Sequence, residues 1–175
     1  MEIYLSIYIF ILGLCIGSFL NVFIYRFPKG QSILYPRSFC PPCKNPIKWF
    51  DNIPILSFLY LKGICRNCMT KISSIYPINE TLFAFSLFLY FISRKTNFAE
   101  IIIFCFFLFF LYAISIIDIK LLKIPNKLNS YFYFFGFLAC LIDFFIGKLK
   151  FGDFLLYNLF SSVLIYIIFE ILRSL

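Results

Sequence analysis

The sequence contains no histidine, a single tryptophan and only eight acidic residues among 175, against sixteen lysines and arginines. The usual general base near neutral pH, which is also the commonest metal ligand, is therefore missing. Proton transfer must fall to Asp, Glu, Lys, Tyr or Cys, and metal binding to cysteines or carboxylates. No glycine-rich turn between a strand and a helix is present, so the sequence locates no dinucleotide-type cofactor site.

Apolar side chains are in excess. The chain is 62% hydrophobic with a mean hydropathy of +0.94, whereas soluble domains average about 45–50% apolar residues. Lipid is thus the predicted solvent for most of the chain. The net charge of +8 is then explained by lysines and arginines in cytoplasmic loops and at lipid headgroups, and no nucleic-acid partner is predicted.

Five apolar stretches are candidates for transmembrane helices: about 4–25, 77–93, 98–117, 128–147 and 154–172. A span needs about 20 residues, and a backbone in lipid must satisfy its own hydrogen bonds, which favours helices. The first stretch lacks a basic start and a small-residue cleavage site, so it is predicted to remain as a span. Gly13 and Gly17 fit a close helix-packing face. The sequence predicts an all-α polytopic membrane protein.

Residues 28–76, the tetracysteine segment, differ from the rest. They are rich in proline and carry seven lysines and arginines against one acid, Asp51. Since basic loops stay in the cytoplasm, this segment and loop 118–127 are predicted to be cytoplasmic and the N-terminus to lie outside. The predicted organisation is a first span at 1–27, this segment, and a membrane region at 77–175.

Smaller features of this part of the chain lead to local predictions. Arg26 and Lys29 are interpreted as interface anchors. Glu80, at a membrane boundary, is predicted to be solvated or paired with a lysine, with a substrate's basic leader or the catalytic region as the alternative partner. A small apolar centre is predicted from five side chains: Trp49, Phe50, Ile53, Leu56 and Phe58.

Four cysteines in this segment form two C-x-x-C pairs, Cys40/Cys43 and Cys65/Cys68, with 21 residues between them. Paired thiolates at this spacing are typical of a closed, structural zinc site. A metal would also stabilise a segment too small for a secure core. Redox disulfides or free thiols are the alternatives, and a reducing cytoplasm disfavours the disulfides. The other three cysteines, Cys15, Cys105 and Cys140, are interpreted as small buried hydrophobes.

The flanking residues resemble the type IV prepilin leader peptidase/N-methyltransferase family, a family of membrane aspartic peptidases. The resemblance covers residues 17–80 almost continuously. It rests on 17–28 (GSFLNVFIYRFP), the CPPCKNPI run at 40–47, the WFDNIPILS run at 49–57, LKG at 61–63, C-R-x-C at 65–68, and I-Y-P-x-x-E at 75–80.

This resemblance implies an enzyme of the bacterial inner membrane that removes short basic leaders from prepilins and pseudopilins of type IV pili or type II secretion. It then methylates the new N-terminus with S-adenosylmethionine. Cleavage in the family uses two membrane-boundary aspartates. The first is matched by Asp118, which ends the AISIID run at 113–118 and precedes Ile-Pro-Asn at 124–126.

The second family aspartate lies in a Gly-x-Gly-Asp motif, and Asp153 in FGD at 151–153 is the nearby candidate. It lacks the first glycine. One predicted span separates it from Asp118, which would put the two carboxyls about 30 Å apart, whereas an aspartic dyad needs about 3 Å. The chain is therefore expected to be shortened before the motif.

Three hypotheses stay open. The chain could be an active peptidase if Asp153 reaches Asp118 through a re-entrant segment, or if another subunit or a separately encoded C-terminal half supplies the aspartate. It could be a shortened, proteolytically inactive relative that docks leaders or retains methyl transfer. It could also be a membrane scaffold for pilus or secretion assembly.

Overall fold

The computed structural model describes residues 2–93 and 98–121, together with five single positions: Ser130, Tyr131, Phe134, Gly136 and Leu138. The helices are α1 (Glu2–Arg26), α2 (Leu56–Tyr60), α3 (Ile75–Ser93) and α4 (Phe98–Leu121), with 3₁₀ turns at Phe27–Lys29 and Trp49–Asn52. Within the described ranges there is no β-strand, only two isolated β-bridges. The predicted helical class is confirmed for this part of the chain.

Three helices are long and apolar enough to cross a membrane: Ile3–Lys29, Ile75–Ser93 and Glu100–Leu121. They coincide with the first three predicted spans. The predicted span 154–172 and almost all of 128–147 lie outside the described residues, so five spans are not confirmed. The chain divides into two compact units, Met1–Ile124 and Pro125–Leu175, and all four helices belong to the first unit.

The α1 and α3 backbones approach each other closely through two glycines of α1. A Cβ added to Gly13 would lie 2.7 Å from the Ala84 Cα, and one added to Gly17 would lie 2.9 Å from the Glu80 Cα. Real Cβ atoms do not come this close to backbone, so only glycine permits the contact. The predicted small-residue packing face is confirmed, since small residues let helix backbones approach closely.

Aromatic side chains join α4 to the other two long helices. The Phe109 ring stacks on Phe19 and meets Phe23 edge-on, with centroids 5.9 and 5.2 Å apart. On the α3 side, the Tyr90 and Phe104 rings stack at 3.7 Å. Offset and edge-on ring pairs of this kind add to ordinary apolar burial. Aromatic rings thus form contacts of α4 with both α1 and α3.

Two predictions of burial are wrong. Cys15 is exposed on α1 rather than buried, while Cys105 is half-buried; Cys140 lies outside the described residues. The predicted apolar centre is not a centre either, because Trp49 is 72% exposed and Leu56 is 65% exposed. Among the described residues of the tetracysteine segment, the buried apolar side chains are those of Cys40 and Cys65.

Candidate functional site

The two C-x-x-C pairs adopt the same backbone turn, 25 residues apart. In the first turn the Lys44 N–H donates to the Cys40 carbonyl at 2.7 Å, and the Cys40 N–H donates to the Asn45 carbonyl at 3.0 Å. In the second, Met69 donates to Cys65 at 3.0 Å and Cys65 donates to Thr70 at 2.9 Å. Each turn is closed by an antiparallel bridge, Phe39 to Pro46 and Ile64 to Lys71. The segment is therefore a structural repeat.

The residue after each second cysteine adopts a left-handed backbone conformation, with φ of 57° at both Lys44 and Met69. Non-glycine residues rarely do so. The conformation aims a backbone N–H back at the first cysteine of each pair. Sequence reasoning noticed the cysteine spacing but missed this repeat, for which the available signal was the identical C-x-x-C turn at a fixed offset.

The four sulfurs meet in one cluster. The Sγ atoms of Cys40, Cys43, Cys65 and Cys68 all lie within 4.8 Å of one another, and the Cys40 and Cys68 sulfurs are 3.8 Å apart. A tetrahedral zinc with Zn–S bonds of about 2.3 Å places its sulfurs roughly 3.8 Å apart. The separation is far too long for a disulfide, of about 2.05 Å. The donor set and its spacing therefore fit a tetrahedral metal.

The cysteines of the cluster differ in their protonation preferences. Burial raises the pKa of the Cys40 thiol from 9.0 to about 12. The Thr70 side-chain hydroxyl, 2.9 Å from the Cys68 sulfur, helps to lower the pKa of Cys68 to about 6, together with the Thr70 backbone. Four thiolates this close would repel one another, so metal binding must displace protons and supply positive charge.

A salt bridge ties the second cysteine turn to the 3₁₀ turn Trp49–Asn52. The Arg66 guanidinium donates two hydrogen bonds to the Asp51 carboxylate, at 2.7 and 2.9 Å. These bonds lower the pKa of Asp51 below its ordinary value. Because the contact is a two-pronged arginine–carboxylate pair, it fixes geometry as well as charge.

Arg26 does not act as a headgroup anchor, which corrects the prediction. Its side chain is 3% exposed, and it donates to the carbonyls of Ser32, Ile33 and Arg37 at 3.1–3.3 Å. The guanidinium also lies 5.5 Å from the centre of the Phe39 ring, just before the first cysteine. Arg26 therefore holds the chain from 32 to 39 against the end of α1.

Glu80 differs from its prediction as well. It is 7% exposed, and its Oε2 accepts the backbone N–H of Ile55 at 2.8 Å. Ile55 has φ 60° and ψ −51°, a strained conformation for a β-branched residue. Nearby, Asn79 donates to the Asn21 side chain at 2.8 Å, and Asn21 donates to the Tyr76 carbonyl at 3.1 Å. These buried polar contacts join α1, α3 and the tetracysteine segment.

Of the two predicted catalytic aspartates, the structure describes one. Asp118 lies in the last turn of α4 and is exposed, at the end of a candidate span. Asp153 lies outside the described residues, so its distance from Asp118 stays a prediction.

The fold and the cluster define a class: a helical membrane protein whose first two spans are connected by a four-cysteine segment of metal-binding type. Residues 11–94 match the family model of the bacterial peptidase A24 N-terminal domain. The chain belongs to the prepilin leader peptidase/N-methyltransferase family, which confirms the resemblance.

Curated relatives of that name include a Myxococcus xanthus protein, 52% identical over 77 residues, which are 44% of this chain and 23% of that protein. A Klebsiella pneumoniae protein is 48% identical over 79 residues, covering 42% of this chain and 35% of the relative. A Vibrio cholerae protein is 37% identical over 137 residues, covering 73% of this chain and 53% of the relative. The chain therefore spans between about a quarter and a half of these relatives' lengths.

The Vibrio cholerae match extends beyond the N-terminal domain. Since 73% of 175 residues is about 128, a continuous stretch of that length cannot avoid position 118 in this chain. No solved structure matches the chain.

Proposed function

We propose that this chain takes part in prepilin leader processing, as an aspartic endopeptidase that removes basic leaders from type IV pilin-like proteins. The observation that carries the proposal is the Vibrio cholerae prepilin leader peptidase/N-methyltransferase match, which is long enough to include position 118 and at least the second part of the tetracysteine segment. The tetracysteine segment and Asp118 would face the cytoplasm, because the loops that hold or follow them are basic.

Asp118 would supply one carboxylate of the catalytic pair. In an aspartic dyad one carboxylate takes a proton from the attacking water while the other, protonated, donates to the scissile carbonyl. An acid at the end of an apolar span is unfavourable unless water or a partner compensates it. Asp153 is the candidate for the second carboxylate, which requires it to reach the same membrane face as Asp118.

The four cysteines would hold a structural zinc. All four ligand positions of a tetrahedral ion are then occupied by protein, so the metal would stabilise the segment and would not activate water. The names of the relatives also include N-methyltransferase. We extend this activity to the chain as a second step, in which the new N-terminal amine accepts a methyl group from S-adenosylmethionine.

The test is leader cleavage of a co-expressed prepilin in membranes without another prepilin peptidase, followed by mass spectrometry of the product. Asp118→Asn should abolish cleavage. Glu100→Gln is the matched control, since Glu100 is the acid in the first turn of the same helix. A product heavier by one methyl group would support the second step.

Cleavage that survives Asp118→Asn would refute the aspartic mechanism at this residue. Loss of cleavage in Asp153→Asn, with the protein present in the membrane, would support Asp153 as the second carboxylate. Absence of cleavage by the unchanged chain, with zinc bound, would overturn peptidase activity of the chain by itself.

A further inference from the structure

The tetracysteine segment exposes a row of large apolar side chains that no part of the site uses. Tyr60 is 76% exposed and Leu59 is 65% exposed, and Trp49, Ile53 and Leu56 are exposed beside them in sequence. We name these five residues the apolar face.

The one-turn helix α2 explains why three of these five side chains point outward together, while Trp49 and Ile53 precede it in sequence. Leu56, Leu59 and Tyr60 stand at positions i, i+3 and i+4, which share one side of a helix. Phe58 lies on another side and packs on the next turn, where a Cβ at Gly63 would be 3.1 Å from the Phe58 ring. Within the part of the chain that the structure describes, Phe58 thus packs inward and the apolar face stays exposed.

The hydrogen bond between Glu80 and Ile55 determines how far the apolar face lies from the membrane. Ile55 lies between Ile53 and Leu56, and its N–H donates to Glu80 in the second turn of α3. The candidate span Ile75–Ser93 has 19 residues, which rise about 28 Å. This barely equals the hydrocarbon thickness of about 30 Å. Since α3 has no length to spare, the hydrocarbon boundary lies near Ile75. Glu80 is five residues further along α3, about 7.5 Å by helical rise, so the Ile55 N–H bonded to it lies within reach of the headgroup region.

Positive charge borders the apolar face. The Lys48 ammonium lies 5.7 Å from the centre of the Phe50 ring, and the Arg66 guanidinium lies 5.8 Å from that of Tyr60. Lys62 follows Tyr60 by two residues, whereas the charge of Arg66 is shared with Asp51, its salt-bridge partner. Aromatic and aliphatic side chains rimmed by cations are the composition of segments that rest in the interface of anionic membranes.

We infer that the apolar face is a membrane-surface anchor, which inserts into the headgroup boundary of the leaflet next to the tetracysteine segment. The anchor would hold the cysteine cluster flat against the bilayer. Its occupant is lipid, because the hydrogen bond from Ile55 to Glu80 keeps the apolar face near the membrane end of α3. The tetracysteine segment also carries seven lysines and arginines against one acid, which complements anionic headgroups. This inference does not depend on peptidase activity.

Trp49 is the only tryptophan in the chain, so the native protein carries its own probe. The full chain would be reconstituted into bilayers of phosphatidylcholine and phosphatidylglycerol with bromine at defined acyl positions. Trp49 emission should be quenched most by bromines nearest the headgroup and little by iodide in the water. Trp49→Phe supplies the background signal.

Iodide quenching without bromolipid quenching would overturn the inference, because Trp49 would then lie in water. Protection from both quenchers would also overturn it, since protein from this chain or a second copy would then cover the apolar face.

A double variant, Leu56→Lys with Leu59→Lys, should reduce bromolipid quenching at least twofold while the bound zinc is unchanged. Met69→Lys is the matched control. Met69 is 71% exposed, and the equivalent position of the first cysteine turn is already a lysine, Lys44. Met69→Lys should leave bromolipid quenching of Trp49 unchanged. Equal quenching in the double variant and the unchanged chain would refute the anchor.

Discussion

The Glu80 carboxylate on α3 accepts the backbone N–H of Ile55 in the tetracysteine segment, 25 residues earlier in the chain, at 2.8 Å. Glu80 is buried, and Ile55 carries a strained left-handed φ of 60°. One side chain of a membrane helix therefore holds a strained turn of the tetracysteine segment. Strain of this kind persists only where surrounding contacts fix the conformation.

Replacing Glu80 by alanine should loosen the tetracysteine segment. The Ile55 N–H would lose its acceptor, and an unsatisfied buried donor costs about 1–3 kcal/mol. Glu80→Gln keeps an oxygen at the same place and should behave close to the unchanged chain. The measurement is the rate of trypsin cleavage within 28–76 in nanodiscs. Identical cleavage rates in the alanine and glutamine variants would show that the hydrogen bond does not hold the turn.

Alanine at either packing glycine of α1 should weaken the contact between α1 and α3. The added Cβ would meet the backbone of Ala84 or Glu80 at 2.7–2.9 Å, and overpacking of this kind typically costs about 1–3 kcal/mol. Gly13→Ala and Gly17→Ala should lower the thermal unfolding midpoint in detergent. Gly136→Ala is the control, because a Cβ there meets nothing within 4 Å. A midpoint for Gly17→Ala that equals the control would contradict the close approach.

The purified chain should contain one zinc ion, held by the four cysteines. Cys40→Ser or Cys65→Ser should remove the metal and expose 28–76 to protease, since a structural zinc contributes directly to folding. Cys15→Ser should retain it, because Cys15 lies exposed on α1. Metal content is read by plasma mass spectrometry. Disulfides between the paired cysteines in non-reducing mass spectra, with no metal, would favour the redox alternative.

Arg26→Lys should free the chain between α1 and the first cysteine turn. The guanidinium reaches three carbonyls from a planar fork, and a single ammonium group does not reproduce that geometry. Backbone amides of 31–39 should exchange hydrogen at least several-fold faster by mass spectrometry. Lys29→Ala is the control, since Lys29 contacts the Tyr25 ring at 3.5 Å. Unchanged exchange in Arg26→Lys would mean that other contacts position this stretch.

Local patterns carried much of the prediction. Apolar run length predicts helices at 4–25, 77–93 and 98–117, because a backbone in lipid must satisfy its own hydrogen bonds and uninterrupted runs of about 20 residues fit a spanning helix rather than a barrel strand. The cysteine spacing predicted that four thiols would meet, since a C-x-x-C turn aims both sulfurs at one point. Family membership followed from the motifs at 17–80 and is shown by the comparisons.

What the sequence by itself determined was therefore the solvent of the chain, its first three helices, its family and the cysteine cluster, all of which depend on neighbouring residues. The tertiary structure decided the long-range partners. The packing of α1, α3 and the tetracysteine segment buries Arg26 and Glu80. It also brings the Ile55 N–H to its acceptor and leaves Trp49 exposed. A polar residue near a membrane boundary has the same sequence signature whether it is exposed or bonded to a buried backbone group, and only the packed chain distinguishes these.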